Sequence, residues 1–193
     1  MTIHGEEFTA KKPNDSFNQG LAYLPQDRYR YGLVGVRPLK ENVTYPILDR
    51  LVRLINLVNQ AEEKKIVDEY IQGLEIVTPN QEQPVRLLSG GNQQKVVFAK
   101  LASTRPNVLI LHEPTQGVDV RAKMDIFRII DEMASQGVAT IIISTEIREL
   151  IGVCDRILVM NNGRITEEFL KGQKRTTPEN ILEAIEGGNN KHE

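Results

Sequence analysis

The sequence predicts an α/β fold with a mostly parallel sheet, joined to a stretch that is helical alone. Three observations carry this. Short apolar or β-branched runs at residues 108–111, 138–144 and 156–160 alternate with segments whose apolar residues recur every three to four positions. That alternation is the pattern of β–α–β crossovers. Residues 38–74 show only the helical period. Aromatic residues make up 5% of the chain and Trp is absent, which suits an α/β protein better than an all-β one.

Taken in order, residues 1–18 are polar and irregular, and Pro13-Asn14-Asp15-Ser16 reads as a turn. Gly20-Leu21-Ala22-Tyr23-Leu24-Pro25 is a short strand stopped by proline, and residues 26–33 follow as a charged loop. Val43, Ile47, Leu51, Leu54 and Ile55, then Ile66, Val67, Tyr70, Ile71 and Leu74, predict two or three helices with an apolar stripe. Thr78-Pro79-Asn80 breaks that run. Ser89 is a helix cap before residues 92–105, of helical composition, and Gly90 and Gly91 allow close approach of a ligand. Residues 108–111 form a buried strand. Residues 121–135 are helical and stop near Gln136-Gly137; residues 138–144 are a second buried strand. A short helix at 146–153 precedes a hairpin turning at Asn161-Asn162-Gly163. Thr177-Pro178-Glu179 starts a last helix to about Glu186, and residues 187–193 form a frayed tail.

Composition narrows the classes of function. A length of 193 residues allows one domain with a subdomain, and 40% hydrophobic residues suffice for a core. The formal net charge of −2 argues against broad electrostatic binding of nucleic acid. The basic cluster Arg28, Arg30, Arg37 and Lys40 reads as a solvated face. A single cysteine, Cys154, excludes an internal disulfide and reads as a small core residue in a reducing compartment. No apolar run approaches the roughly 18 residues of a membrane span, and no signal-peptide core precedes Lys11.

Two stretches carry chemistry. Leu88-Ser89-Gly90-Gly91-Asn92-Gln93-Gln94-Lys95 opens a helix, whose free N–H groups and positive dipole end suit phosphate. Val108-Leu109-Ile110-Leu111-His112-Glu113-Pro114-Thr115 delivers a carboxylate at the C-terminal edge of a strand, followed by Gly117-Val118-Asp119. In this order and spacing they resemble the signature motif, Walker B strand and D-loop of the ABC-transporter ATPases. The Asn-Gln-Gln-Lys ending is most similar to the second nucleotide-binding half of sugar-importer ATPases of the ribose, xylose, galactose or autoinducer-2 type.

The resemblance covers roughly residues 20–170. It implies a RecA-like, P-loop-NTPase-type sheet, here incomplete, with a helical subdomain. The expected divisions are 1–37 (N-terminal strand and Q-loop region), 38–87 (helical subdomain), 88–186 (signature through the C-terminal α/β part) and 187–193 (tail). It implies Glu113 as general base. It implies nucleotide contacts by Gln26 of the Q-loop, by Ser89, Gly90 and Gly91 of the signature, by Asp119 of the D-loop, and by Glu146, which stands where the family has a switch histidine. The cofactors implied are ATP and Mg2+, held mainly by a partner domain. The partners implied are a second ABC ATPase domain, transmembrane permease subunits and, indirectly, a periplasmic or extracellular binding protein, but no nucleic acid. The implied location is the cytoplasmic face of the membrane.

The sequence departs from the family pattern in three places. None of the 14 glycines is followed by lysine, so no G-x-x-x-x-G-K-[ST] phosphate loop occurs, and the chain reads as the later part of a nucleotide-binding domain. His112 replaces the usual aspartate, and imidazole is a poor partner for a hard cation. It reads as a satisfied strand-end residue; the remaining histidines, His4 and His192, lie near the termini and argue against zinc. Glu146 replaces an imidazole. Little or no ATP hydrolysis by the chain alone is therefore expected. The alternative is a non-enzymatic interaction module or decayed remnant of such an ATPase; a nucleic-acid-associated ABC ATPase ranks third, for want of a coiled coil or basic arm.

Overall fold

The computed structural model describes residues 2–3, 5–52 and 57–187. Leu54, Ile55, His4, His192 and the tail beyond Gly187 lie outside the described residues. The chain divides into two compact units, Met1–Ile143 and Ser144–Glu193.

The first unit opens with a two-residue pair of strands, β1 (Thr2–Ile3) and β2 (Glu6–Glu7), and a short helix, α1 (Pro13–Asn18). The turn expected at Pro13-Asn14-Asp15-Ser16 is therefore a helix. Proline sits in its first turn, and the Asp15 carboxylate accepts from Lys12 N at 3.2 Å, so the turn-forming residues act as a helix start instead. Strand β3 (Leu21–Leu24) pairs in parallel with β4 (Val108–His112), which pairs in parallel with β5 (Ala139–Ile143).

Helix α5 (Gly90–Ser103) and helix α6 (Val120–Ser135) supply most of the helical core. Ala22, Leu24, Leu109 and Leu111 are buried in the sheet, as are Val96, Val97, Phe98 and Leu101 of α5 and Ile126, Ile129 and Ile130 of α6. The sheet is less enclosed than its apolar sequence suggests. Strand β4 buries only alternate residues, and in β5 Ala139, Ile141 and Ile143 are exposed, Ile141 by 51%. The β-branched run 138–144 reads as a buried strand, but one face of β5, the row Ala139, Ile141 and Ile143, is left open.

The segment after β3 is not a plain loop. Arg28–Gly32 makes a π-helical turn, with Leu33 N donating to Arg28 O at 2.9 Å and the Asp27 carboxylate capping Arg30 N at 3.0 Å. The helical stretch contains α2 (Leu39–Thr44), α3 (Leu48–Leu51) and α4 (Gln60–Gly73), with a 3₁₀ turn at Tyr45–Ile47 where Pro46 interrupts the α-helical bonding. Asn42 is buried at its centre. It accepts from Val34 N at 2.8 Å and donates to the carbonyls of Val34, Arg37 and Pro38, fixing the chain between the π-turn and α2.

The second unit contains α7 (Ile147–Val153), the hairpin β6 (Arg156–Asn161) and β7 (Arg164–Leu170), and α8 (Pro178–Gly187). Asn162 and Gly163 both take positive φ, 48° and 76°, as the two-residue hairpin turn requires. Ile157, Val159, Phe169, Ile181 and Ala184 form its core, with Cys154 packed against them. Cys154 is partly buried, and that burial pushes its thiol above its ordinary value, which disfavours the nucleophilic thiolate. Among the described residues no helix is long and apolar enough to cross a membrane.

Phe98 has no exposed surface and is among the largest fully buried side chains. Replacing Phe98 by alanine should cost about 3–5 kcal/mol, read as a lowered urea midpoint with unchanged slope.

Candidate functional site

Two strand ends and two helix starts meet in the first unit. Leu24 of β3 and Leu111 of β4 are register partners, so Gln26 and Glu113 each lie two residues beyond the same level of the sheet. Gln26 is exposed in a bend. Glu113 is buried, and its backbone takes φ 50°, a conformation uncommon for a residue with a side chain. Its N–H donates to Ile143 O at 2.8 Å, tying the residue to the end of β5. Beside it, His112 Nδ1 and the Tyr23 hydroxyl are 3.4 Å apart, a partner for the strand-end histidine within the sheet. Among the described residues no cluster of three or more His, Cys, Asp or Glu side chains is placed to hold a metal ion.

The start of α5 is capped by Ser89, whose Oγ accepts from Asn92 N at 3.4 Å. The start of α6 is capped by Asp119, which accepts from Ala122 N at 2.9 Å. These two first turns touch. A Cβ placed on Gly91 would lie 2.7 Å from Ala122 Cβ, and one on Gly90 would lie 3.5 Å from Gly117 O. Gly91 is buried, and helix packing requires a glycine there. The structure brings Ser89, Gly90, Gly91 and Asp119 into one cluster.

Arg28 binds that cluster together. Its guanidinium donates to Gln116 O at 2.8 Å and to Gly117 O at 3.5 Å, and its NH2 group lies 3.3 Å from where a Gly90 Cβ would sit. The residue is buried, not part of a solvated face. Lys100 holds the far end of the same π-turn, donating to Gly32 O at 2.9 Å. Gln94 donates to Pro114 O at 2.7 Å, joining α5 to the residue after Glu113. Arg28 and Gln94 escape a reading of the sequence because their partners are backbone carbonyls far along the chain, 88 residues away for Arg28; a carbonyl leaves no residue type to recognise. Glu146 belongs to the second unit, where its N–H donates to Ser144 Oγ at 3.1 Å just before α7.

One ion pair fixes α5 against α6. Lys95, buried, meets Asp125 at 2.7 Å and also donates to Glu75 O at 3.2 Å. The hydrogen bond from Lys95 holds the Asp125 carboxyl below the ordinary carboxylate range. Arg128 adds a more exposed pair with Glu75 at 3.1 Å.

The profile of the ABC transporter family matches residues 1–116. The xylose import ATP-binding protein of Thermoanaerobacter pseudethanolicus is 42% identical over 167 residues, 86% of this chain and 33% of that protein. The ribose import ATP-binding protein of Caldanaerobacter subterraneus subsp. tengcongensis is 40% identical over 186 residues, 96% of this chain and 37% of the relative. The chain therefore spans about a third of the length of these relatives. Among solved structures, a dimeric ATP-binding cassette in a post-hydrolysis state bound to ADP and Pi is similar at TM-score 0.71, with 17% identity, covering 87% of this chain and 71% of that one. A nucleotide-free ATP-binding cassette from an ABC transporter is similar at TM-score 0.70, with 20% identity over 95% of this chain and 72% of that one. These two likenesses establish the fold.

Gly91→Ala should destabilise the protein by about 1–3 kcal/mol through its clash with Ala122, whereas Gly152→Ala, in open space within α7, should stabilise it by up to about 1 kcal/mol; thermal melts of the two variants test the difference. Asp125 is lowered in the folded state, so its pairing stabilises above the ordinary Asp value of about 3.9 and is lost as pH falls through the lower folded value. Denaturation midpoints measured down this acid range should fall less steeply for Asp125→Asn than for the wild type.

Proposed function

The chain belongs to the ABC transporter family, and from that premise we propose that it acts as the ATP-binding component, or part of one, of an importer for sugars or related small molecules. In this reading it supplies Ser89, Gly90, Gly91 and Asp119 to an ATP site shared with a partner domain. The observation that carries the reading is the pairing of two helix starts, those of α5 and α6, around the buried guanidinium of Arg28. The α5 start is open to solvent at Ser89. Free N–H groups and a positive dipole end, with a buried cation behind them, suit the terminal phosphate of a nucleotide presented from outside. The sugar class rests on the two import relatives and on the Asn92-Gln93-Gln94-Lys95 ending.

The residues fit the two cofactors unequally. The α5 start fits phosphate. The strand end does not fit Mg2+, because His112 is a nitrogen donor tied to Tyr23 and, among the described residues, no acidic cluster is placed to hold a metal ion. ATP supplies the phosphoryl group whose transfer to water would drive transport. Glu113, held at φ 50° just beyond the C-terminal end of β4, is the proposed general base toward water. Gln26, at the neighbouring strand end, is proposed to face nucleotide on the Glu113 side of this domain. The metal and the remaining phosphates fall to the partner domain, and a permease in the membrane is the proposed recipient of the conformational change.

The purified chain alone should turn over ATP at no more than trace rates, unchanged by Glu113→Gln. Mixed with an ATP-binding cassette that carries a phosphate loop but a disabled signature serine, it should restore hydrolysis, and Ser89→Arg should abolish that rescue. Robust hydrolysis by the chain alone, lost in Glu113→Gln, would overturn the shared-site reading.

A further inference from the structure

We infer that Asn92 is a positioning residue that turns the Ser89 hydroxyl into an outward hydrogen-bond donor for a phosphate oxygen; the inference rests on the reading of the α5 start given above. Asn92 is the third residue of α5 and is held from two sides. Its Oδ1 accepts from Val77 N at 2.8 Å, and its Nδ2 donates to Ser89 Oγ at 2.9 Å. A backbone N–H can only donate, so Val77 decides which end of the amide is oxygen. The NH2 group must then face Ser89, and it too can only donate. The backbone N–H of Asn92 approaches the same Oγ at 3.4 Å.

Both lone pairs of Ser89 Oγ are thus met by donors from one residue. The hydroxyl proton has neither direction left to it, and Ser89 is exposed, so the O–H projects from the helix start toward solvent. An exposed donor alone would not specify an anion. Arg28 supplies the independent observation. It is 8% exposed, its Nε has no partner, and its guanidinium lies 3.3 Å from the position of a Gly90 Cβ. Its terminal nitrogens meet carbonyl oxygens and its Cζ lies 4.9 Å from the Tyr29 ring centroid, and none of these partners carries a formal charge. A donor, a helix start and a buried cation thus converge on one turn. A carboxylate at position 92 would reverse the polarity. It would still accept from Val77 N, but it would also accept the Ser89 proton, leaving the hydroxyl turned inward.

The test uses the 15N-labelled full chain titrated with inorganic tripolyphosphate without magnesium, followed at the amides of Gly90, Gly91 and Asn92. The wild type should show saturable shifts. Asn92→Asp should weaken binding by about tenfold or more, the loss of one charge-assisted hydrogen bond. Its melting temperature should not fall, because an acidic residue in the first turn of a helix is favourable and the Val77 bond is kept. Ser89→Ala should weaken binding comparably and shift the Asn92 side-chain NH2 resonances. Binding by Asn92→Asp equal to wild type, or loss of affinity together with loss of melting temperature, would overturn the positioning role. So would Asn92 NH2 resonances left unmoved in Ser89→Ala. A wild type with no shift at these amides would instead overturn the phosphate reading of the α5 start, while the NH2 resonances still decide the orientation of the hydroxyl.

Discussion

Helix α5 imposes the constraint on which the rest of the first unit depends. It is buried along most of its length, including three consecutive polar residues, Gln93, Gln94 and Lys95. A buried polar group without a partner costs about 1–3 kcal/mol, so each demands its own acceptor. The Gln93 and Gln94 amide nitrogens find Leu88 O and Pro114 O, although both Oε1 atoms stay buried without a partner, and Lys95 finds Asp125 and Glu75 O. These partners lie in the turn before the helix, in the segment after Glu113, on α6 and after α4. Satisfying one helix therefore fixes the positions of four other segments, and the geometry of the candidate site follows.

The π-turn works in the same way from the opposite side. Arg28 reaches the carbonyls of the Gln116-Gly117 loop, and Lys100 of α5 reaches back to Gly32. The segment carrying Gln26, the start of α5 and the loop before Asp119 are thus fastened through backbone carbonyls. Such links tolerate drift in the side chains around them but not loss of the cation itself.

Much of this was legible in the sequence. The apolar runs gave away β4, β5 and β6, the Ser89 and Asn162-Gly163 signals marked a helix start and a hairpin, and the order of motifs named the family. What was not legible has identifiable causes. Pro13 and Asp15 serve turns and helix starts equally well, and only the backbone bonds of α1 separate the two. A run such as Ala139-Thr140-Ile141-Ile142-Ile143 reads as buried on both faces, and only the packing on each side of the sheet shows that the row Ala139, Ile141 and Ile143 stays open. Arg28 looked solvated because its neighbours in sequence are charged, while its partners are distant carbonyls. The second role of Gly91, making room for Ala122, needs the path of α6 to be known.

The pairing of β3 with β4 bears on how the protein reaches its native state. The two strands are neighbours in the sheet, yet the whole helical stretch and α5 lie between them in the chain. Closing so long a connection is slow compared with forming the β6–β7 hairpin, whose strands are joined by two residues. The hairpin unit can therefore organise early, while Gln26 and Glu113 reach a common level only when β3 docks. During synthesis β3 emerges well before its partner, and until β4 arrives its backbone donors and acceptors remain open to other chains.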